Sequence, residues 1–125
     1  MPKTRVLIVD DDAIHRLLVF KCLADQPDIE VITSDCGHDV LTRLNRGEKF
    51  DVLFVDWNMP EMSGYELVCS VRANVQFNNI RIMMLTAKND MEDVRQALAA
   101  GASEYLMKPF TKEILVNKLA LLLLD

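Results

Sequence analysis

The stretch VLIVDDD at residues 6–12 decides how the rest of this sequence is interpreted. Three of its four apolar residues are β-branched, as is typical of a strand buried on both faces. Three aspartates follow at once, so the strand is predicted to end in carboxylates. Similar short apolar runs recur along the chain and predict four more strands. These further strands are expected at residues 30–33, 52–55, 80–85 and 104–107.

Longer segments between the runs carry apolar residues at helical spacing. The clearest follows the third strand, where Ser63 and Glu66 are spaced as a capping box. Its apolar positions recur at i, i+3, i+4 and i+7, namely Gly64, Leu67, Val68 and Val71. Four shorter stripes predict the other helices: Leu18, Val19, Cys22 and Leu23; Val40, Leu41 and Leu44; Val94, Ala97 and Leu98; and Leu115, Leu119 and Leu122. Asp90 is predicted to cap the start of the fourth helix, and Gly47 and Gly101 to follow the ends of the second and fourth.

Five strand-then-helix units predict an α/β fold, a doubly wound parallel sheet with helices on both faces. Right-handed crossovers restrict the strand order to a few arrangements. The length of 125 residues predicts a single domain, residues 1–125. In such sheets ligands bind beyond the carboxyl ends of the strands, so the residues that follow each strand are the candidates for function.

Charge and cysteine content exclude several classes of function. The net charge of -5 argues against direct nucleic-acid binding and against attachment to an anionic membrane. The longest apolar run, residues 119–124, is too short to span a bilayer, and we see no signal-peptide pattern. Three cysteines cannot all pair within the chain and show no metal-binding spacing. Reduced thiols are typical of the cytoplasm, which is the location that we expect.

Polar side chains follow four of the predicted strands. Asp10, Asp11 and Asp12 follow the first, Asp56 the third, Thr86 lies at the end of the fourth and Lys108 at the end of the fifth. The fold would bring them to one edge, where two carboxylates about 4 Å apart repel by about 4 kcal/mol at an effective dielectric constant near 20. Either a proton or a hard cation relieves this repulsion, and carboxylate oxygens suit Mg²⁺. We therefore predict a magnesium site at this edge.

The same edge has the groups that phosphoryl transfer needs. An aspartate beside Mg²⁺ is able to attack phosphorus and form an aspartyl phosphate. Lys108 would hold one phosphoryl oxygen, the Thr86 hydroxyl a second and the metal the third. Any one of these residues alone is a common surface feature, and the prediction depends on their joint occurrence at the ends of separate strands.

In four segments the sequence resembles the receiver domain of two-component response regulators, most of all the single-domain chemotaxis type. The matching segments are residues 6–12, residues 55–60 together with Gly64, residues 84–87 and residues 101–110. They occur in the order of that family and with similar spacing, and the resemblance extends over essentially the whole chain. It implies a sheet of order 2-1-3-4-5, the flavodoxin-like arrangement.

The resemblance also implies a function for each site residue. Asp56 would accept the phosphoryl group from a sensor histidine kinase or a phosphotransfer protein. The metal ligands would be Asp11, Asp56, the backbone carbonyl of Asn58 and, indirectly, Asp10. Thr86 and Lys108 would contact the phosphoryl group, Tyr105 would be the aromatic switch residue, and the Lys108–Pro109 bond would be cis. Such a protein is a signalling switch that catalyses only its own phosphorylation and dephosphorylation, and is not an enzyme acting on an external substrate.

Two other functions match part of the sequence. A phosphohydrolase of the haloacid-dehalogenase type would use Asp10 and Asp12 as its D-x-D pair, but a late acidic pair after Lys108 is missing and a substrate cap has no room. A flavin-binding module needs a hydroxyl-rich phosphate loop after the first strand. The three carboxylates there would repel a phosphate, so we expect no flavin.

The last helix offers a second apolar stripe, Val116, Ala120 and Leu123. The resembling family uses the face formed by helix 4, strand 5 and helix 5 for dimers and targets. We therefore expect this helix to present a surface for a second copy or a partner. Trp57 is expected to be a half-exposed loop residue, and His15 and His38 a helix-face and a loop histidine without a function.

Overall fold

The computed structural model describes residues 3–87 and 91–124. Its five strands are β1 (Thr4–Val9), β2 (Ile29–Ser34), β3 (Val52–Asp56), β4 (Arg81–Thr86) and β5 (Glu104–Met107). All pair in parallel, in the order β2-β1-β3-β4-β5, which confirms the predicted doubly wound sheet and its strand order. Val9 pairs with Val55, so the residues that follow them, Asp10 and Asp56, reach the carboxyl edge side by side.

Five helices connect or follow the strands. They are α1 (Ala13–Leu23), α2 (Gly37–Asn45), α3 (Gly64–Arg72), α4 (Met91–Ala100) and α5 (Lys112–Leu123), with one 3₁₀ turn (Val75–Phe77) before β4. Gly47 and Gly101 follow α2 and α4 with φ of 94° and 118°, left-handed values that glycine adopts without steric cost. The cap predicted at Asp90 lies outside the described residues. Within the described ranges, no helix has the length and apolar content needed to cross a membrane.

The sheet is covered on both faces, and every residue of β3 is buried. On one face, α2, α3 and α4 pack on alternate strand residues such as Leu7, Leu53 and Met84. On the other face, α1 and α5 pack on the intervening residues, among them Ile8 and Phe54. The alternation of strand side chains between the two clusters explains why the strands are continuous apolar runs.

The predicted start of α3 is confirmed in detail. Ser63 Oγ accepts a hydrogen bond from the Glu66 N–H at 3.1 Å, and Glu66 Oε1 accepts one from the Ser63 N–H at 3.1 Å. The predicted stripe of α3 is buried throughout. Gly64 donates its N–H to the Trp57 carbonyl at 2.9 Å, so α3 begins directly against the end of β3.

The prediction that Leu18 and Leu98 belong to the apolar stripes of their helices is wrong. Leu18 on α1 is 56% exposed and Leu98 on α4 is 42% exposed, although Val19, Leu23, Val94 and Ala97 are buried as expected. Each misplaced leucine is adjacent in sequence to a buried residue and is therefore turned by about 100° around the helix axis. That rotation carries it past the edge of the narrow contact that each helix makes with the sheet.

The second stripe of α5 also lies elsewhere than expected. Val116 and Leu123 are partly buried against the cluster of α1 and α5 and line a groove with Pro27 and Ile29, beside β2. Lys118, on the opposite side of α5, donates a hydrogen bond from its Nζ to the Tyr105 carbonyl of β5. The stripe therefore belongs to the β2 side of the molecule and not to the α4–β5–α5 face.

The contact between Gly64 and β3 predicts a large effect of adding one methyl group. A Cβ at this position would overlap the carbonyl oxygen of Asp56, which is backbone and cannot move aside. We expect Gly64→Ala to lower the free energy of unfolding by about 1–3 kcal/mol, as overpacking does in cores. Urea unfolding followed by far-UV circular dichroism measures the change.

Gly37→Ala is the matched control, because Gly37 is also buried and also begins a helix. A Cβ there would come closest to the flexible Met62 side chain, 2.7 Å from its Sδ, which is able to rotate away, and would lie at an ordinary contact distance of 3.6 Å from Leu67 Cδ1. The two variants should differ clearly in stability, and an equal loss in both would show that contact with β3 is not the cause.

Candidate functional site

Three carboxylates meet where β1 and β3 end. One oxygen each from Asp10, Asp11 and Asp56 lies within 4.8 Å of the other two. Asp10 is 1% exposed and Asp56 is 6% exposed, whereas Asp11 is open to solvent. The register of β1 on β3 produces this proximity, since consecutive residues of both strands leave the sheet together. The predicted cluster of carboxylates at the carboxyl edge is therefore present.

Asp10 is electrostatically unsatisfied. Its Oδ1 accepts the Asp12 N–H at 2.9 Å, but its Oδ2 has no hydrogen-bond partner among the described residues. Burial raises the pKa of the Asp10 carboxyl above its ordinary value, and repulsion by the Asp56 carboxylate raises it further. The Asp12 N–H, the Lys108 ammonium and His15 oppose this shift without cancelling it.

Among the described residues, Lys108 is the cation nearest to the buried carboxylates. Its Nζ donates a hydrogen bond to Asp56 Oδ1 at 2.6 Å and lies 3.8 Å from Asp10 Oδ2. Its backbone N–H donates to the Thr86 carbonyl at 2.8 Å, which ties the end of β5 to the end of β4. The Lys108–Pro109 peptide bond is cis, as the resemblance implied. One ammonium thus faces two buried carboxylates.

The remaining predicted site residues surround this cluster at different depths. Thr86 is buried at the last position of β4, and Asn58 is exposed two residues beyond Asp56. Tyr105 is half-buried on β5 and packs against the cluster formed with α2, α3 and α4. Its carbonyl accepts a hydrogen bond from Lys118 Nζ at 2.7 Å, and the same Nζ lies 4.8 Å from the centre of its ring.

Asp12 is engaged outside the cluster. Its Oδ1 accepts the backbone N–H groups of Ile14 and His15 at 2.8 and 3.2 Å, so Asp12 is the N-cap of α1. These hydrogen bonds lower the pKa of its carboxyl below the ordinary value. This arrangement argues against the phosphohydrolase alternative, because the second aspartate of the D-x-D pair is turned onto the helix.

Two residues near the site were not recognised from the sequence. His15 is exposed on α1 as expected, but its Nδ1 lies 3.9 Å from both Asp10 Oδ2 and Asp12 Oδ2. Arg16 Nη1 donates a hydrogen bond to the Asp10 carbonyl at 2.7 Å. The sequence feature that could have revealed the position of His15 is the N-cap at Asp12, because a residue three positions after an N-cap lies in the first helical turn directly above it.

The residues present fit a hard divalent cation. One carboxylate oxygen each of Asp10, Asp11 and Asp56 lies within 4.8 Å of the other two, and Asp10 also has an oxygen, Oδ2, that is buried without a hydrogen bond from the described residues. Mg²⁺ prefers such oxygen ligands and retains several waters, which the exposed side of Asp11 permits. The donor set therefore suits a hard divalent cation such as Mg²⁺.

Comparison with known proteins identifies the family. The family model described as "Response regulator receiver domain" matches residues 6–120. The chain therefore belongs to the response regulator receiver domains of two-component signalling. Members of this family are signalling proteins and not dedicated enzymes.

Similar curated proteins and solved structures agree with this assignment. The chain is 36% identical to a chemotaxis protein CheY homolog of Campylobacter jejuni, over 92% of this chain and 88% of that one. It is 36% identical to the structure of Vibrio cholerae CheY4, with a TM-score of 0.88 over 96% of this chain and 98% of that one. A putative response regulator from Chloroflexus aurantiacus is 30% identical with a TM-score of 0.91, covering 98% and 99% of the two chains.

The raised pKa of Asp10 predicts that Asp10→Asn stabilises the metal-free protein. The folded state holds the Asp10 proton to a higher pH than the unfolded chain does. The contribution of Asp10 to the free energy of unfolding is therefore most favourable below its ordinary pKa of 3.8, and it is lost as the pH rises through the pKa of the folded state. We expect Asp10→Asn to be more stable than the wild type by about 1–3 kcal/mol at neutral pH, the usual cost of a buried unsatisfied group. Urea unfolding with EDTA measures this difference.

The stability difference should shrink as the pH approaches 3.8 from above, because the wild-type carboxyl then becomes neutral in both states. Asp28→Asn, at an exposed aspartate, is the control and should change little. A lower stability of Asp10→Asn at neutral pH, or a difference that does not vary with pH, would contradict the electrostatic explanation.

Proposed function

We propose that this chain is a phosphoacceptor switch, with Asp56 receiving a phosphoryl group from a sensor histidine kinase or a phosphotransfer protein. The observation that carries the proposal is the cluster of Asp10, Asp11 and Asp56 with Lys108 against Asp56 Oδ1. Asp56 is the member best suited to accept the group, since it ends the central strand β3, where it is buried and pairs with Leu85 of β4.

Asp11 and Asp56, with the Asn58 carbonyl and indirectly Asp10, are proposed to hold Mg²⁺. When bound, Mg²⁺ neutralises the carboxylates and the oxygens of the incoming phosphoryl group. Asp11 leaves the site open to water, and Asp10 contributes a buried negative charge that strengthens the attraction for a cation. These residues provide alignment and charge, which is what phosphoryl transfer demands most.

The covalent step is an exchange of one bond to phosphorus for another. A carboxylate oxygen of Asp56 attacks phosphorus and forms a P–O bond, while the P–N bond of the donor phosphohistidine breaks. The bonding electrons leave with the donor imidazole nitrogen. Lys108 holds one phosphoryl oxygen, and the Thr86 hydroxyl at the end of β4 donates to another. Water later hydrolyses the acyl phosphate and restores the carboxylate with release of inorganic phosphate.

The change in charge at Asp56 is proposed to shift the protein between two conformations. Thr86 moves toward the phosphoryl group, and Tyr105 responds because both side chains lie on the same face of the sheet, on the paired strands β4 and β5. The half-buried position of Tyr105 leaves it room to move between solvent and the neighbouring cluster.

We propose that the α4–β5–α5 face carries the output to a target or a second copy. It presents Leu98, which is 42% exposed, and the Tyr105–Lys118 pair. Direct binding to nucleic acid or membrane is not part of the proposal, since the net charge is -5. Three cysteines without a disulfide suit a cytoplasmic location.

Trp57 provides the test, because the single tryptophan of the chain adjoins Asp56. Acetyl phosphate, and separately beryllofluoride, should change Trp57 emission only when Mg²⁺ is present. Asp56→Ala should abolish this change and should reduce incorporation of phosphoryl groups from about one per chain to none. Fluorescence titration and intact-mass spectrometry at neutral pH measure the two effects.

Asp28→Asn is the control variant, since Asp28 is exposed and lies outside the carboxylate cluster. It should behave as the wild type in both measurements. Phosphorylation of Asp56→Ala to the wild-type level would disprove the assignment of Asp56, and a wild-type response independent of Mg²⁺ would disprove the assignment of the metal.

A further inference from the structure

The ammonium of Lys118 on α5 contacts two consecutive residues of β5. Its Nζ donates a hydrogen bond to the Tyr105 carbonyl at 2.7 Å and lies over the Tyr105 ring, 4.8 Å from its centre. The same Nζ lies 3.5 Å from Glu104 Oε1. Lys118 therefore contacts both the backbone and the ring of the residue that the proposed function uses as its aromatic switch.

The backbone of Tyr105 is held at the outer edge of the sheet. β5 is the last strand in the sheet order, and Tyr105 is in register with Met84 of β4. Glu104 Oε1 accepts a hydrogen bond from the Tyr105 N–H at 2.9 Å, and Lys118 Nζ donates one to the Tyr105 carbonyl. These side chains satisfy backbone groups that a further strand would otherwise pair with. A change in the position of Tyr105 is therefore a rotation of its side chain.

The contact between Lys118 and the ring depends on the side-chain rotamer of Tyr105. An ammonium over the face of an aromatic ring is attracted by the negative charge of that face. The Nζ is kept in place by the Tyr105 carbonyl and by Glu104, neither of which moves with the ring. Rotation of the Tyr105 χ1 angle to another staggered position carries the ring away from Nζ. The attraction therefore stabilises the observed ring position relative to the other rotamers.

The observed ring position occurs together with one state of the proposed phosphoacceptor. Asp56 Oδ1 accepts a hydrogen bond from Lys108 Nζ at 2.6 Å, so the Asp56 carboxylate is the ion-pair partner of this lysine. In the proposed function, Lys108 holds a phosphoryl oxygen instead once Asp56 is modified. A contact that favours the observed position of Tyr105 therefore favours the conformation in which Asp56 is an unmodified carboxylate.

We propose that Lys118 is a positioning residue for the aromatic switch, whose ammonium holds the Tyr105 ring in the conformation that accompanies an unmodified Asp56. The proposal rests on the proposed function, since that function assigns the switch to Tyr105 and the phosphoryl group to Asp56. Two conformations in equilibrium respond to any contact that is made in only one of them. Loss of the Lys118 charge therefore shifts the population toward the other conformation and strengthens the binding of a phosphoryl mimic.

The test compares two substitutions of Lys118 that keep a long side chain. Lys118→Met removes the charge and should tighten the binding of beryllofluoride, in the presence of Mg²⁺, by about two- to fivefold. This range corresponds to a cation–π contact of about 0.5–1 kcal/mol at an exposed site. Lys118→Arg keeps a cation that is able to lie over the ring and should bind beryllofluoride as the wild type does. Titration followed by Trp57 emission measures these affinities.

A second measurement observes Tyr105 directly. Fluorine NMR of protein that carries 3-fluorotyrosine reports on both tyrosines of the chain, Tyr65 and Tyr105. In EDTA, the Tyr105 signal of Lys118→Met should move toward the position that it takes in wild-type protein saturated with beryllofluoride. The Tyr65 signal should not move between these EDTA samples, because Tyr65 packs near Trp57 and not on Lys118. Both Lys118 variants should fold normally, since this side chain is 32% exposed.

Lys112→Met is the matched control. Lys112 is also a lysine of α5, but its Nζ pairs with Asp25, beyond the end of α1. The control variant should keep the wild-type affinity for beryllofluoride and the wild-type Tyr105 signal, because it removes a charge from the same helix without removing one from the ring.

Three results would overturn the inference: unchanged or weaker binding of beryllofluoride by Lys118→Met, the same tightening in Lys118→Arg, or the same tightening in Lys112→Met. If the wild type still binds beryllofluoride with Mg²⁺ in that case, the proposed function stands and only the function of Lys118 is rejected. If beryllofluoride with Mg²⁺ does not change the Trp57 emission of the wild type, the proposed function itself fails, and the inference fails with it.

Discussion

The chemistry of the site depends on how the parallel sheet places two carboxylates, those of Asp10 and Asp56, next to each other. Val9 and Val55 are paired on neighbouring strands, so Asp10 and Asp56 leave the sheet side by side. Both are almost fully buried, and two carboxylates repel more strongly there than in water. Lys108 lies against both and offsets part of the repulsion. Within residues 3–87 and 91–124, one ammonium does not balance two buried carboxylates, so the described groups at this edge of the sheet carry a surplus of negative charge.

The packing of the molecule prevents this repulsion from being relieved by movement of the backbone. Every residue of β3 is buried, and apolar clusters cover the sheet on both faces. The start of α3 lies against the end of the same strand through Gly64 and the Trp57 carbonyl. Separating Asp10 from Asp56 would disturb a close-packed core. Only a proton or a cation relieves the repulsion, so the burial that stabilises the fold also creates the chemistry of the site.

The sequence predicted the architecture well, because short β-branched runs and helical stripes are local patterns. The strands and the start of α3 were located to within two residues. Leu18 and Leu98 were misassigned because a stripe indicates the direction of a helix face but not how far the neighbouring elements cover it. The proximity of His15 to Asp10 was missed because it depends on how Asp12 caps α1. Contacts of this kind are set by distances between side chains, which no spacing in the sequence encodes.

The ion pair between Lys108 and Asp56 imposes an order on the events at the site. Its 2.6 Å contact engages Asp56 Oδ1, one of the two oxygens able to attack phosphorus. In the proposed function, Lys108 would give up this contact only when other positive charge reached the carboxylates, because otherwise Asp56 would be left buried and unpaired. Its backbone stays bonded to the Thr86 carbonyl, so the ammonium moves by side-chain rotation alone. In the proposed function, lysine and divalent cation would therefore neutralise Asp56 in succession, and the lysine would be available to the phosphoryl group once a cation was bound.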